Sequence, residues 1–306
     1  MSSTSSPPSP PLVDLLVLGA GWTSTFLVPH LISQHPCITY ACTTRDGRNG
    51  SIRWSFNPED PDDPSGYDVL PLAKTVLITF PIKGKGGSRG LVRGYEKSKG
   101  ISTDEDEESV RWIQLGSTGI WDWTDRHSPY DTSNVRAIAE DELLSLHRNT
   151  FVLNLSGLWG GERDPSNWIP RIAKSKQALE VKGSLHLIHG LDVARAIVAV
   201  HLSPPPLPRC NTDKKKKGER YLLTDLRVID WWDLACRYPT LAPTSGEQGG
   251  EETPESFTWV QELMKEHGVR ALPRSPRELG RALDSKEFWN DFGLMPVKGS
   301  FEKGRL

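Results

Sequence analysis

The stretch "LVLGAGWTSTFLVPHL" (16–31) decides how the rest of the chain is read. It begins as an apolar strand, turns through Gly19 and Gly21, and continues with helical spacing. Gly19 permits a tight turn, and Gly21 lets a phosphate approach the main chain. A third small residue is needed where the following helix packs closely on the sheet. Ser24 stands at that third position in place of glycine, with Trp22 and Thr23 between. The same residues would also suit an ordinary glycine-rich turn. The strand–helix–strand order around them favours dinucleotide binding.

Outward from this loop, Leu12 to Leu18 reads as a fully buried strand. Thr23 to Gln34 reads as a helix with Phe26, Leu27, Leu31 and Ile32 inward and a kink at Pro29. "ITYACTT" (38–44) is the second strand, and its end should meet the adenosine ribose. There Thr44 is followed by Arg45, which would favour the 2′-phosphate of NADP, and by Asp46, which would favour NAD. Arg45 directly follows "ACTT", so NADP is preferred, with NAD as the other reading. Both charges would also suit a solvated loop.

The 306 residues are 36% hydrophobic and 25% charged, enough apolar material for a sizeable core. A net charge of -2 gives no global attraction to nucleic acid or to an anionic membrane. No apolar run reaches the roughly 20 residues of a membrane helix. Cys37, Cys42, Cys210 and Cys236 form no C-x-x-C pair and no metal knuckle, so free thiols in a reduced compartment are expected. "MSSTSSPPSPP" (1–11) lacks the marks of a secretory signal and reads as a disordered tail. The resulting expectation is a cytoplasmic protein with a small-molecule substrate and neither nucleic acid nor membrane as partner.

Further along, 46–68 reads as a long loop, Thr75 to Ile82 as a buried strand, and Leu91 to Ser98 as a helix. "STDEDEE" (102–108) reads as a solvated charge run. Strands are expected at 110–117 and 150–157, and helices at 137–146 and 192–202. The first of these helices has Ile138, Leu143, Leu144 and Leu146 as apolar positions, and the second starts at Asp192. "ERYLLTD" (219–225) suggests a strand, and "RVIDWWDLACRY" (227–238) a helix. A helix is also expected from Ser275, with Pro276 at its first position and Glu278 completing a capping box. Lys214 to Lys217 reads as a loop tip, or as a nuclear-import patch.

The alternation of strands and helices argues for an α/β protein with a Rossmann-type doubly wound parallel sheet at 12–202. A smaller C-terminal substrate lobe is expected at 203–306, with disordered loops near 203–219 and 239–256.

Six stretches carry a resemblance to a known family: "LVLGAGW" (16–22), "TTR" (43–45), "LGSTGIWD" (115–122), "NVRAIAEDELL" (134–144), "NLSGLWGGERDP" (154–165) and "LIHGLDVARAIVA" (187–199). In this order and spacing the chain resembles the extended short-chain dehydrogenase/reductases, and most closely their atypical, NAD(P)-dependent epimerase/dehydratase-like branch. The resemblance covers roughly 12–202 and is loose beyond. It implies that Ser117, with Thr118 beside it, orients a substrate. It also implies that a Tyr-x-x-x-Lys pair handles the proton and the nicotinamide ribose.

At that pair the chain departs from the family pattern. An acidic residue follows the family's tyrosine by eight positions, and Glu140 matches it. Counting back puts Thr132 at the tyrosine position and Arg136 at the lysine position. Threonine is a far weaker proton donor than a tyrosine of pKa about 10. Arg136 can still bind ribose hydroxyls and supply positive charge. Tyr130 is a candidate substitute acid, or an ordinary loop tyrosine. Asp122, Asp125 and His127 flank it in the sequence and also suit a solvated loop.

His186 and His189 have no third ligand at metal spacing and are read as architecture. Trp121, Trp123, Trp159 and Trp168 suit pocket lining or core packing. Two functions follow. One is an NADP-dependent oxidoreductase or epimerase-like enzyme on a small carbonyl or alcohol. The other is a catalytically silent NADP-binding regulatory or scaffold protein.

Overall fold

Residues 15–18 are wholly buried, so that part of the first strand is covered on both faces, whereas Leu12, expected to be buried with it, is 56% exposed at the strand's start. The computed structural model describes residues 12–101, 110–121, 125–204, 218–238 and 255–299. The expected tail at 1–11, the acidic run at 102–108, Asp122, Trp123 and Lys214 to Lys217 lie outside the described residues. So does most of the expected loops at 203–219 and 239–256.

In chain order the elements are β1 (Leu12–Leu18), α1 (Ser24–Gln34), β2 (Tyr40–Thr44), β3 (Ile52–Arg53), β4 (Leu72–Ile78), α2 (Gly87–Lys99) and β5 (Arg111–Ser117). Then come α3 (Val135–Leu146), β6 (Thr150–Leu155), β7 (Gly157–Trp159), α4 (Ile169–Ile172), α5 (Lys176–Glu180), β8 (Ser184–Leu185), β9 (Leu187–His189) and α6 (Gly190–Leu202). The chain continues through β10 (Glu219–Leu223), β11 (Ile229–Asp230), α7 (Trp231–Arg237), α8 (Glu255–Glu266) and α9 (Lys286–Asp291).

Seven strands form one sheet in the order β10-β6-β5-β4-β1-β2-β3. The β1–β2, β1–β4, β4–β5 and β2–β3 pairings are all parallel. Flanked by helices, this is the expected Rossmann-type α/β sheet. The chain winds from β1 toward β3, then jumps back across β1 to β4 and proceeds the other way. The strand order therefore reverses between β1 and β4, and ligands of such sheets bind outside the carboxyl ends of the strands at that reversal.

The described residues fall into two units. The first comprises 12–120, 131–154 and 193–221. Its core includes Leu16, Leu18, Val76, Ile78, Leu91, Trp112, Leu143 and Val152. The second comprises 121–130, 155–192 and 222–299. It packs Ile169, Leu179, Trp232, Val260 and Leu263 together. There Asp230 caps α7 by accepting the Trp232 N–H at 2.9 Å and pairs with Arg274, whose guanidinium lies 3.7 Å over the Trp232 ring.

Several local expectations need correction. Ile32 is 61% exposed, because the buried stripe of α1 is Leu27 and Leu31, four residues apart, and Ile32 falls a further 100° round. The helix continues through Pro29, which lies on its exposed side. The expected long loop at 46–68 contains β3 and two short 3₁₀ turns. The fourth strand begins at Leu72 rather than Thr75 because Leu72 and Ala73 pair with Leu12 and Val13. It ends at Ile78 because Thr79 turns onto β1.

At Ser275 the capping box forms as expected, with the Ser275 N–H 2.8 Å from Glu278 Oε2. Only one turn follows. Gly280 enters the left-handed region at φ 77°, and the Leu279 carbonyl is taken by the Ser184 N–H at 3.3 Å. Helix resumes only at Lys286, and the helix expected over 227–238 is Trp231–Arg237 after the short β11.

Candidate active site

The glycine loop sits at the reversal point. Gly19 has φ 88°, and its N–H donates to Thr43 Oγ1 at 2.9 Å. Thr79, just after β4, donates its hydroxyl to the carbonyl oxygens of Leu18 and Gly19. A Cβ on Gly19 would meet Thr79 Oγ1 at 3.0 Å and Phe80 Cδ1 at 3.1 Å, so turn and crowding both demand glycine. Gly21 differs. A Cβ there would meet nothing closer than the Gly19 carbonyl oxygen at 3.9 Å, and its surface is exposed.

The first turn of α1 is tight, with Ser24, Thr25 and Phe26 N–H groups bonding the carbonyls of Gly21, Trp22 and Thr23. Trp22 packs its ring edge on Phe26, and Thr23 is buried. The Ser24 hydroxyl is buried and has no hydrogen-bond partner among the described residues. An open glycine and an orphaned hydroxyl at the positive end of a helix fit a pyrophosphate. Thr43 and Thr79 were not singled out in the sequence. The only signal for them is a hydroxyl residue at the end of each strand beside β1.

At the end of β2 the hydroxyl of Thr44 is committed to its own turn, 2.7 Å from Ser51 Oγ and accepting the Gly47 N–H at 2.9 Å. Asp46 pairs with Arg48 at 3.7 Å, and the Thr44 hydroxyl and Arg48 hold its carboxyl below the usual range. Arg45 is exposed and makes no ion pair among the described residues.

The end of β5 is built more tightly. Ser117 Oγ accepts the Gly119 N–H at 3.1 Å, and Thr118 is buried. Asn134 caps α3 by accepting the Arg136 N–H at 3.0 Å. The Arg136 side chain is half-buried and unpaired among the described residues. Glu140, one turn further, is wholly buried. It accepts from Asn154 Nδ2 at 2.9 Å and lies 3.3 Å from Arg220 Nη2. Burial pushes its carboxyl above the ordinary value, against the pull of Arg220, Asn154, Arg136 and the Ser117 N–H. Thr132, at the tyrosine position, is exposed in the turn that Asp131 organises through Ser133.

In the second unit Tyr130 bridges to Trp121, with ring centroids 4.9 Å apart. Asp125 accepts the N–H groups of His127 and Ser128, both at 2.9 Å. These bonds and the Ser128 hydroxyl outweigh burial and lower its pKa, so Asp125 builds the loop rather than offering a proton. His127 is 3.0 Å from Glu287, which also pairs with Arg126.

His186 Nε2 accepts the Leu283 N–H at 2.9 Å, and His189 Nδ1 accepts the Leu191 N–H at 3.0 Å. Each ring thus serves the main chain, as the architectural reading requires. Asp192 accepts from the Val297 and Lys298 N–H groups, both at 3.0 Å. Asp225, after β10, was not anticipated. Burial raises its pKa to about 7, with Arg227 opposing and Asp192 adding to the rise.

Among the described residues no group of acidic, His and Cys side chains could hold a metal ion, and no helix is long and apolar enough to cross a membrane. Cys37, Cys42 and Cys236 are free thiols, and Cys210 lies outside the described residues.

No family model matches the sequence, and no curated protein does. Solved structures do match over nearly the whole chain. One, described as an NAD-dependent epimerase/dehydratase from Methylobacillus flagellatus, is 16% identical with a TM-score of 0.57 over 96% of each chain. MoeE5 in complex with UDP-glucose and NAD is 13% identical with a TM-score of 0.54 over 94% of this chain and 95% of its own. Vestitone reductase from alfalfa is 15% identical with a TM-score of 0.55 over 95% of both. At these identities the shared property is the fold, and that fold extends well past the region where sequence stretches are similar.

Proposed function

We propose that this chain binds NADP at the Gly19–Gly21 loop and works in the cytoplasm as an oxidoreductase or epimerase-like enzyme on a small carbonyl or alcohol. The observation that carries the reading is Gly21, open to an approaching phosphate at the start of α1 and at the reversal of strand order. The likeness to MoeE5, described with NAD bound, supports a nicotinamide dinucleotide. Arg45, unpaired beside an already paired Asp46, supports a 2′-phosphate and hence NADP.

In this reading the loop N–H groups and the α1 terminus receive the pyrophosphate. Arg45 takes the 2′-phosphate, and Arg136 holds ribose hydroxyls in the place of a lysine. The Ser117 hydroxyl, with Thr118, orients the substrate oxygen, and a water handles its proton. The cofactor, when bound, supplies or accepts hydride.

Titration with NADPH and NADH, followed by nicotinamide fluorescence, tests the reading. Micromolar binding of NADPH is expected, and no binding of either overturns it. Arg45→Ala should weaken NADPH selectively, and an unchanged preference would remove the ribose assignment. Consumption of NADPH across a panel of carbonyl substrates then tests turnover.

A second reading, a silent NADP-binding protein whose occupancy sets its shape or partner affinity, is favoured by one observation. The residue at the tyrosine position, Thr132, is exposed in a turn and has no acidity to offer. Binding without turnover across the panel would select it.

A further inference from the structure

We infer that Arg53 is a second determinant of cofactor choice, joining Arg45 around the 2′-phosphate of NADP. The inference rests on the functional reading above and deepens it at the same ribose corner. The stretch "RDGRNGSIR" (45–53) runs from the end of β2 to the end of β3 and carries three arginines against one carboxylate. It is curled tightly, with Gly47 at φ 74°, Asn49 at 56° and Gly50 at 73°. The Thr44 hydroxyl accepts the Gly47 N–H at 2.9 Å and lies 2.7 Å from Ser51 Oγ, which donates to the Arg48 carbonyl at 2.6 Å.

This curl lays the end of β3 beside the end of β2. Arg53 stands directly opposite Thr44 in the parallel pairing, and the Trp54 N–H donates to the Thr44 carbonyl at 2.9 Å. Neighbouring strands lie about 4.8 Å apart. Arg53 also packs on the turn itself, where a Cβ on Gly47 would come within 3.3 Å of Arg53 Cβ. The residue that follows Thr44 and the residue opposite Thr44 are therefore both arginine, on adjacent strand ends.

The charges give this pair its use. Asp46, the one carboxylate of the stretch, lies 3.7 Å from Arg48. Arg45 and Arg53 are exposed, and neither has an ion pair among the described residues. Two like charges left over on neighbouring strands repel each other. A phosphate monoester brings close to two negative charges and three acceptor oxygens, which suits two guanidinium groups in charge and in geometry. The 2′-hydroxyl of NAD brings no charge, so Arg53, like Arg45, selects for NADP.

Titrations with NADPH and NADH test the assignment. Arg53→Gln removes the charge from an exposed side chain and leaves the Trp54 main-chain bond in place. NADPH affinity should fall about tenfold and NADH affinity by less than about twofold. Arg53→Lys restores the charge without the planar fork and should recover part of the loss. With Arg45→Ala added to Arg53→Gln, the preference for NADPH should vanish. A wild-type preference retained by Arg53→Gln overturns the inference, and so does an equal loss for both cofactors, which marks a structural role. A wild-type protein that binds NADPH no more tightly than NADH overturns the NADP reading and this inference with it, so the wild-type titration tells the two failures apart. Adenosine 2′,5′-bisphosphate gives the same contrast without a nicotinamide. It should raise the thermal midpoint of the wild type more than that of Arg53→Gln, and an equal rise overturns the inference.

Discussion

Arg220 and Glu140 form an ion pair inside the first unit, with Nη2 3.3 Å from Oε2 and side chains only 7% and 1% exposed. Two desolvated charges are retained there, at a cost that geometry must repay. Arg220→Met leaves the carboxylate buried without its cation and should destabilise the protein by about 3–5 kcal/mol. Urea denaturation at pH 7 measures it. Adding Glu140→Gln to Arg220→Met should recover a good part of that loss. A double variant no more stable than Arg220→Met would show that packing, not charge, is responsible.

The two loop glycines should separate stability from binding. Gly19→Ala places a side chain at φ 88° and within 3.1 Å of Phe80, so it should cost about 1–3 kcal/mol in thermal or urea unfolding. Gly21→Ala meets no atom inside 3.9 Å and should unfold like the wild type. Its methyl group nevertheless occupies the space a phosphate needs, so NADPH affinity should fall at least about tenfold. Equal affinity for Gly21→Ala and wild type would place the pyrophosphate elsewhere.

Asp225 should make the fold less stable as pH rises. Its native pKa of about 7 stands above the ordinary carboxylate value of 3.8 because burial disfavours the charged form. The folded state therefore holds its proton through a range in which the unfolded chain has lost it. Stability falls from about pH 4 to pH 7. Asp225→Asn removes that penalty and should stabilise the protein at pH 8 by about 2–4 kcal/mol, an advantage that shrinks toward zero at pH 4. A destabilised Asp225→Asn at pH 8 would contradict the assignment.

His186 should act with the opposite sign. Burial, with Arg281 nearby, lowers its pKa from 6.5 to about 4, and Nε2 must stay unprotonated to accept from Leu283. The stability it contributes is complete above pH 6.5 and is lost as pH falls toward 4, by about 3 kcal/mol at most. His186→Gln, whose side-chain carbonyl can accept the same N–H, should flatten that part of the stability profile. An imidazole signal of His186 titrating near 6.5 by NMR would rule this out.

Much of this was legible because it is written locally. Leu12 to Leu18 matched its strand residue for residue, whereas α3 begins at Val135, two residues before the expected start at 137, because the Asn134 side chain accepts a main-chain N–H two residues on. The capping box at Ser275 was equally local and formed as read, yet it did not make a helix. A box satisfies one turn, and the next residues answered to Gly183 and Ser184, nearly a hundred positions away. Ile32 failed for a similar reason, since periodicity says that a helix has a buried face but not how wide the neighbours make it.

By itself, the sequence determined the α/β class, most of the strands and helices of the main sheet and the position of the glycine loop. These follow from side-chain period, turn chemistry and the steric freedom of glycine, all of which act between near neighbours. Only the tertiary structure decided which groups close on that loop and on the end of β5. Thr43 and Thr79 reach Gly19 from separate strands, and Asn154 and Arg220 reach Glu140 from two more. Such partners carry no shared spacing in the chain. What selects them is the need of a buried polar group for a hydrogen bond or a countercharge, a need that arises only once the sheet has removed it from water.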